Sequence, residues 1–153
     1  MVSYFDGTSW IWGLSLIAAT LAVHITGVVM TALSMVKIRV WAEGRGFSFE
    51  YMVSVMIGAV AVSGLVLVFL HGIEAAMWAV AYVGSGAVPL PVDAMYFSVD
   101  SITTRGASGI VLERHWQMMG ALEAVDGMLL FGISTAYIFV VLQAYWPMLS
   151  RRQ

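Results

Sequence analysis

The chain has 153 residues, of which 61% are hydrophobic and 10% are charged, and its formal net charge is −2. A soluble domain is about 45–50% apolar and about 25% charged, so the composition excludes a water-soluble fold and predicts an apolar surface that faces lipid. The absence of cysteine excludes disulfides, thiolate metal sites and cysteine nucleophiles. Basic residues form only short clusters near the ends of apolar segments, so no nucleic-acid partner is expected.

Three long apolar segments predict three membrane-spanning helices, since about 20 mainly apolar residues cross a bilayer. The first segment covers residues 10–36, which contain no Asp, Glu, Lys or Arg, and a short loop with two glycines is expected at residues 42–48. The second segment covers about residues 49–83, and the third about residues 117–145. Trp146-Pro147 are expected to end the third helix.

Positive charges predict the orientation of these helices in the membrane. Lys37, Arg39 and Arg45 lie between the first and second segments, and Arg151 and Arg152 follow the third. Three crossings bring both regions to one side, which is predicted to be cytoplasmic, so the N-terminus is expected outside and the C-terminus inside. The expected location is a bacterial inner membrane.

The connection between the second and third segments predicts a short helix followed by an irregular loop. Residues 92–103 allow three helical turns, too few to cross a bilayer, and Asp93 near their start favours a helix N-terminus. Small residues with two glycines follow at 104–109. This order is typical of a segment that enters the membrane and returns to the same side, where protein or water must cover the backbone. We therefore predict an all-α membrane protein of three spanning helices with a re-entrant pore helix and loop.

Several stretches within residues 50–145 add a more specific pattern. They are Trp78-Ala79-Val80-Ala81-Tyr82 with His71 and Glu74 upstream, Tyr96-Phe97-Ser98, Thr103-Thr104-Arg105-Gly106, the run Trp-Gln-Met-Met-Gly-Ala-Leu-Glu-Ala at 116–124, and the run Gly-Met-Leu-Leu-Phe-Gly-Ile-Ser-Thr-Ala at 127–136. In this order they resemble the outer helix, pore helix, filter entry and inner helix of the small bacterial pore-loop potassium channel family. The resemblance implies a homotetramer in the lipid bilayer with a monovalent cation in the filter. It divides the chain into an N-terminal helix and loop (1–48), a channel-like domain (49–150) and a basic tail (151–153).

The stretch that corresponds to the family's filter differs from the family pattern. The family's filter is Thr-Val-Gly-Tyr-Gly, whose backbone carbonyls replace the hydration shell of the ion. The filter-like stretch here is Thr103, Thr104, Arg105, Gly106, Ala107, Ser108 and Gly109. When Thr104 and Gly106 are aligned with the Thr and the first Gly of the family pattern, Arg105 replaces the Val, Ala107 the Tyr and Ser108 the second Gly, and Gly109 replaces the Asp that often follows. Ser108 replaces a glycine, a residue that adopts left-handed backbone angles without strain. Ala107 lacks the aromatic ring that supports the family's filter. Arg105 would bring four like charges together in a tetramer. Asp100, five residues before Arg105, is expected to pair with it if the loop folds back.

Four residues of the third segment have two interpretations each. Glu123 and Asp126 share a helix face and either line, with Asp100, a vestibule that concentrates cations, or pair with Arg114 or His115 across the loop. Gly127 and Gly132 serve either as a gating hinge or as sites of close helix packing.

The histidines of the spanning segments give no clear metal or haem site. His71 and Glu74 share a helix face and would form a carboxylate–imidazole site if they met Glu123 and Asp126, but no sequence feature brings the two helices together. His24 is expected at a different depth from His71, which favours a helix–helix hydrogen bond over haem ligation. No metal site and no cofactor other than a cation are therefore predicted.

Two functions follow from these interpretations. The first is a potassium-channel-like pore subunit for passive cation transport. The second is a non-conducting accessory subunit that packs against other membrane subunits, since proteins with the same fold need not share an activity. Without a nucleotide loop, a Ser–His–Asp set or an HExxH motif, an enzyme is not expected.

Overall fold

The computed structural model describes residues 7–45 and 49–150, and these residues form an all-α fold. The helices in chain order are α1 (Gly7–Gly44), α2 (Phe49–Gly84), α3 (Pro91–Ile102) and α4 (Gln117–Ser150). Helices α1, α2 and α4 are long and apolar enough to cross a membrane. Large apolar side chains stay exposed on all three, among them Ile11, Leu65 and Phe139. The prediction of a membrane protein with three spanning helices is confirmed.

Two helix ends lie beyond their predicted positions. The loop expected at residues 42–48 begins later, because α1 continues to Gly44 and carries an ion pair between Arg39 and Glu43, 3.0 Å apart and one turn from each other. Helix α4 continues past Pro147 to Ser150. Proline lacks the N–H but has a helical φ, so the helix loses one hydrogen bond there without ending. Residues 46–48 and the basic tail, with Arg151 and Arg152, lie outside the described residues.

Helix α3 forms within one residue of its predicted position. Pro91 occupies its first turn, after an extended Leu90, and proline at this position has the correct φ and no N–H to satisfy. Asp93 lies in the same turn, where a negative charge complements the helix dipole. At the other end Thr104 adopts a left-handed conformation with φ 56°, which ends the helix.

Contacts among the described residues gather into two compact units. The first comprises residues 7–24 and 71–131, contains all of α3, and has Trp78, Met119 and Leu130 fully buried.

The second unit comprises residues 25–70 and 132–150. In it the Ser63 and Tyr137 hydroxyls lie 3.2 Å apart, and the Tyr145 hydroxyl donates to the Met35 carbonyl over 3.1 Å.

Candidate functional site

Helix α3 packs deep against α4. The Ser101 hydroxyl donates to the Gly120 carbonyl over 3.0 Å. The Ile102 carbonyl lies against the Cα of Gly127, so closely that a side chain at position 127 would overlap it. Gly127 is ten residues from Gln117, the start of α4, a distance of about 15 Å along the helix. The end of α3 is therefore about 15 Å from the level at which α4 begins.

Close packing explains one of the two glycines on α4. Gly127 permits the approach of Ile102, whereas at Gly132 no described atom beyond its chain neighbours and the adjacent backbone of α4 lies within 4 Å of the position of a Cβ. The packing interpretation therefore holds for Gly127 and not for Gly132, and the hinge interpretation of both stays a prediction.

An ion pair ties the loop after α3 to the helix. Arg105 Nε lies 2.5 Å from Asp100 Oδ1, and an Arg105 Nη atom donates to the Tyr96 hydroxyl over 2.7 Å. The backbone N–H of Ser108 donates to Asp100 Oδ2 over 2.8 Å. The expected pair between Asp100 and Arg105 is confirmed. Its two residues differ in exposure, since the Asp100 side chain is buried and that of Arg105 is about half exposed.

The ion pair and its hydrogen bonds shift the pKa of both partners. Burial alone would raise the pKa of Asp100, but the hydrogen bond and charge of Arg105 and the N–H of Ser108 hold that pKa below its usual value. The hydrogen bond to Asp100, and then the one to Tyr96, raises the pKa of Arg105. Asp100 therefore remains ionised at neutral pH, where it holds the loop.

Most of the remaining residues of the loop at 103–109, which the sequence analysis compared with a filter, are exposed. Thr103, Thr104, Gly106, Ala107 and Gly109 lie at the surface of the single chain, with Ser108 partly buried. Thr104, Gly106 and Gly109 have positive φ angles, so the loop is irregular and is neither helix nor strand. Nothing in this geometry tests ion binding, which stays a prediction.

Glu123 connects three helices from a fully buried position. Its Oε2 accepts a hydrogen bond from the Tyr82 hydroxyl over 2.7 Å, and its Oε1 lies 2.5 Å from the Ser98 hydroxyl. Ser98 Oγ is also 2.7 Å from the Ala75 carbonyl. Glu123 therefore holds α2 and α3 against α4.

Asp126 is also fully buried, one turn further along α4. Its Oδ2 accepts from the Trp78 indole N–H over 2.9 Å and lies 2.7 Å from the Thr20 hydroxyl. Its Oδ1 has no hydrogen-bond partner among the described residues, and a buried unpaired oxygen is costly.

The vestibule interpretation of three carboxylates is therefore wrong. Glu123, Asp126 and Asp100 are all buried within the chain, and none faces open water. The reason is that hydroxyl and indole donors of neighbouring helices enclose the first two, while Arg105 and the loop cover Asp100. The pairing of Glu123 and Asp126 with Arg114 or His115 is also not observed, because the partners of these carboxylates are Ser98 and Tyr82 for Glu123 and Thr20 and Trp78 for Asp126.

A fourth buried carboxylate, Glu74, joins two histidines. Its Oε1 lies 2.7 Å from His24 Nδ1 and its Oε2 lies 3.0 Å from His71 Nδ1. The two imidazole centroids are 5.2 Å apart, and Phe131 stacks on His71 with centroids 4.4 Å apart. The expectation that His24 and His71 lie at different depths is wrong, because α1 and α2 pack so that both rings reach the same carboxylate.

The contacts among the buried polar side chains of α1, α2 and α4 were not predicted from the sequence. On α2, Glu74, Trp78 and Tyr82 recur every four residues and so share one helix face. Thr20 and His24 show the same spacing on α1. Polar residues at this spacing inside apolar helices are the signal, since ionisable groups in membranes usually face the protein interior.

The comparisons with known proteins add no relative to these observations. No family model, curated protein or solved structure matches the chain.

Proposed function

We propose that this chain is a pore-loop membrane subunit of the cation-channel type. In this proposal α2 is the outer helix, α4 the inner helix, and α3 with the loop of residues 103–116 the re-entrant segment. The observation that carries it is the contact between Ile102 and Gly127, ten residues into α4.

The depth of this contact supports re-entry. The chain leaves α2 at Gly84, and α4 begins at Gln117. The end of α3 between these points reaches about 15 Å along α4, which is about half of a 30 Å hydrocarbon core. Helix α2 and helix α4 cover α3 on one side, through contacts such as those of Ser98 and Ser101. The irregular backbone after α3 is exposed in the single chain, so at membrane depth it requires cover from other copies of the chain or from water in a pore.

The exposure of the loop supports assembly around an axis. A filter is a ring of carbonyls contributed by several copies, so its residues should be exposed in one chain and buried in the assembly. Residues 103–107 are exposed in the single chain. The proposed assembly is a homotetramer in a bacterial inner membrane, with the N-terminus outside and the C-terminus cytoplasmic.

The ion pair of Arg105 favours a second candidate. The guanidinium lies in the middle of the filter-like stretch and is tied to Asp100 and Tyr96. The ion pair holds this bulky, half-exposed side chain where the family pattern has Val, and the charge that Asp100 does not neutralise repels permeating cations. The alternative is therefore a non-conducting accessory subunit, in which the same pore-loop fold packs against other membrane proteins.

Reconstitution of the purified chain separates the two candidates. Native mass spectrometry gives the oligomeric state, and potassium flux into liposomes with single-channel recording gives conduction. A tetramer that passes cations is the result expected of a pore subunit. A monomer without flux would contradict the pore proposal and favour the accessory role.

A triple variant tests whether the altered loop alone prevents conduction. The variant Arg105→Val, Ala107→Tyr, Ser108→Gly restores the family's residues at three positions. In a pore scaffold we expect this variant to pass potassium faster than the natural chain. Arg105→Lys is the matched control, because it keeps the charge and should not increase flux. Absence of flux from a correctly assembled triple variant would refute the pore-loop proposal.

A further inference from the structure

Two histidines and a carboxylate converge inside the first unit. His24 and His71 approach Glu74 from different helices, and one candidate ligand atom from each residue lies within 4.8 Å of the others. His24 and Glu74 are fully buried, and His71 is mostly buried. We propose that His24, His71 and Glu74 form a binding site for a first-row divalent transition-metal ion, independently of whether the chain conducts.

The ligand types suit such an ion. Imidazole nitrogen is preferred by Zn²⁺, Fe²⁺, Ni²⁺ and Cu²⁺, and two histidines with one carboxylate are a recurring set for Zn²⁺ and Fe²⁺. No cysteine is present to provide thiolates. Hard cations such as Mg²⁺ and Ca²⁺ prefer all-oxygen sites, so the proposal is specific to metals that accept nitrogen.

The geometry requires only a small adjustment. Ligand atoms at about 2.0–2.1 Å from a tetrahedral ion are roughly 3.4 Å apart. The Nδ1 atoms of His24 and His71 now lie 2.7 and 3.0 Å from the Glu74 oxygens. An ion between them replaces these contacts after side-chain movements of about 1–2 Å. Each Nδ1 then needs its lone pair, so a neutral imidazole bound to the ion carries its hydrogen on Nε2.

The charge of the surroundings favours a cation. The carboxyl groups of Glu74, Glu123 and Asp126 are fully buried in the same unit. None of them contacts a Lys or Arg side chain within the described residues; their partners are histidine, hydroxyl and indole groups. Buried carboxylates are normally paired or coordinate metals, and a divalent ion would provide Glu74 with a positive charge that no Lys or Arg side chain provides there.

Asp126 provides an independent observation. Thr20 and Trp78, the hydrogen-bond partners of Asp126, lie one turn from His24 and Glu74 along α1 and α2. Its Oδ1 is buried without a partner. A water bound to the ion would satisfy this oxygen if the two came within hydrogen-bond distance.

Zinc binding to the purified chain tests the proposal. The protein, prepared without a polyhistidine tag and treated with a chelator, is titrated with Zn²⁺ by calorimetry in detergent. We expect one ion per chain and a rise in the melting temperature, because an ion that binds the folded state stabilises it. X-ray absorption at the zinc edge should show two imidazoles. No binding above a detergent blank, or fewer than two imidazoles, would overturn the proposal without the need for a variant.

Single substitutions locate the ion. His71→Gln and Glu74→Gln should each weaken zinc binding by at least about tenfold, as loss of even supporting residues commonly does. His115→Gln is the matched control, since His115 is the third histidine of the chain and its side chain is exposed. Binding that survives in both site variants, or that is lost in the control, would place the ion elsewhere and refute the site. Conduction and oligomeric state do not enter these measurements, so their outcome is separate from that of the pore proposal.

Discussion

Asp100 and Arg105 form an ion pair that closes the loop after α3 onto the helix, with 2.5 Å between Asp100 Oδ1 and Arg105 Nε. The second oxygen of Asp100 accepts the backbone N–H of Ser108. One carboxylate therefore holds the loop at two points, and its charge and its hydrogen bonds can be tested separately.

Removal of the Asp100 charge should loosen the loop. In Asp100→Asn the ion pair is lost and the amide accepts more weakly than the carboxylate, so the Ser108 amide should exchange faster with solvent. Hydrogen–deuterium exchange resolved at the loop measures this. Asp93→Asn is the control, because it removes the same charge from the exposed first turn of α3. Equal exchange in the two variants would contradict the role of Asp100.

The stability of the loop should depend on pH in one direction. The pKa of Asp100 is lowered in the folded state from its ordinary value of 3.8, so the unfolded loop binds its proton first as the pH falls. The stabilisation is complete above pH 3.8 and is lost as the pH falls through the lowered pKa. Exchange of the Ser108 amide, corrected for intrinsic rates, should accelerate only in this acidic range. The same acceleration in Asp100→Asn would assign it to another group.

Gly127 should not tolerate a side chain. In Gly127→Ala the Cβ overlaps the Ile102 carbonyl, and overpacking of this kind costs about 1–3 kcal/mol. The free energy of unfolding in detergent should fall accordingly. Gly132→Ala is the matched control, because no described atom beyond its chain neighbours and the adjacent backbone of α4 lies within 4 Å of the new Cβ. It should be neutral or stabilising by up to about 1 kcal/mol. A neutral Gly127→Ala would show that α3 does not approach α4 so closely.

The Tyr82 hydroxyl should stabilise the buried Glu123. Tyr82→Phe removes a 2.7 Å hydrogen bond to a fully buried carboxylate, which should lower the free energy of unfolding by about 1–2 kcal/mol. Tyr96→Phe makes the same change at the exposed partner of Arg105 and should cost less than about 0.5 kcal/mol. Chemical unfolding of both variants measures the difference. Equal effects would mean that burial does not strengthen the contact.

Some of the site could be predicted because it is local. The pair of Asp100 and Arg105 lies within five residues, so a helix end followed by a tight loop is sufficient to bring the two together. The wrong predictions concern residues far apart in sequence. His24 and Glu74 are 50 positions apart, and the contact between them depends on how α1 and α2 rotate about their own axes.

The three spanning helices and the short α3 follow from the amino-acid sequence alone. An apolar segment without water around it must satisfy its backbone hydrogen bonds internally, which makes it a helix whatever its neighbours are. Tertiary structure alone decided which partner each buried polar side chain has. Each residue turns the helix by about 100°, so a small change in register exchanges every interhelical contact while leaving the apolar pattern unchanged. For this reason Glu123 and Asp126 share a predictable face, whereas the donors that enclose them appear only once the helices are packed.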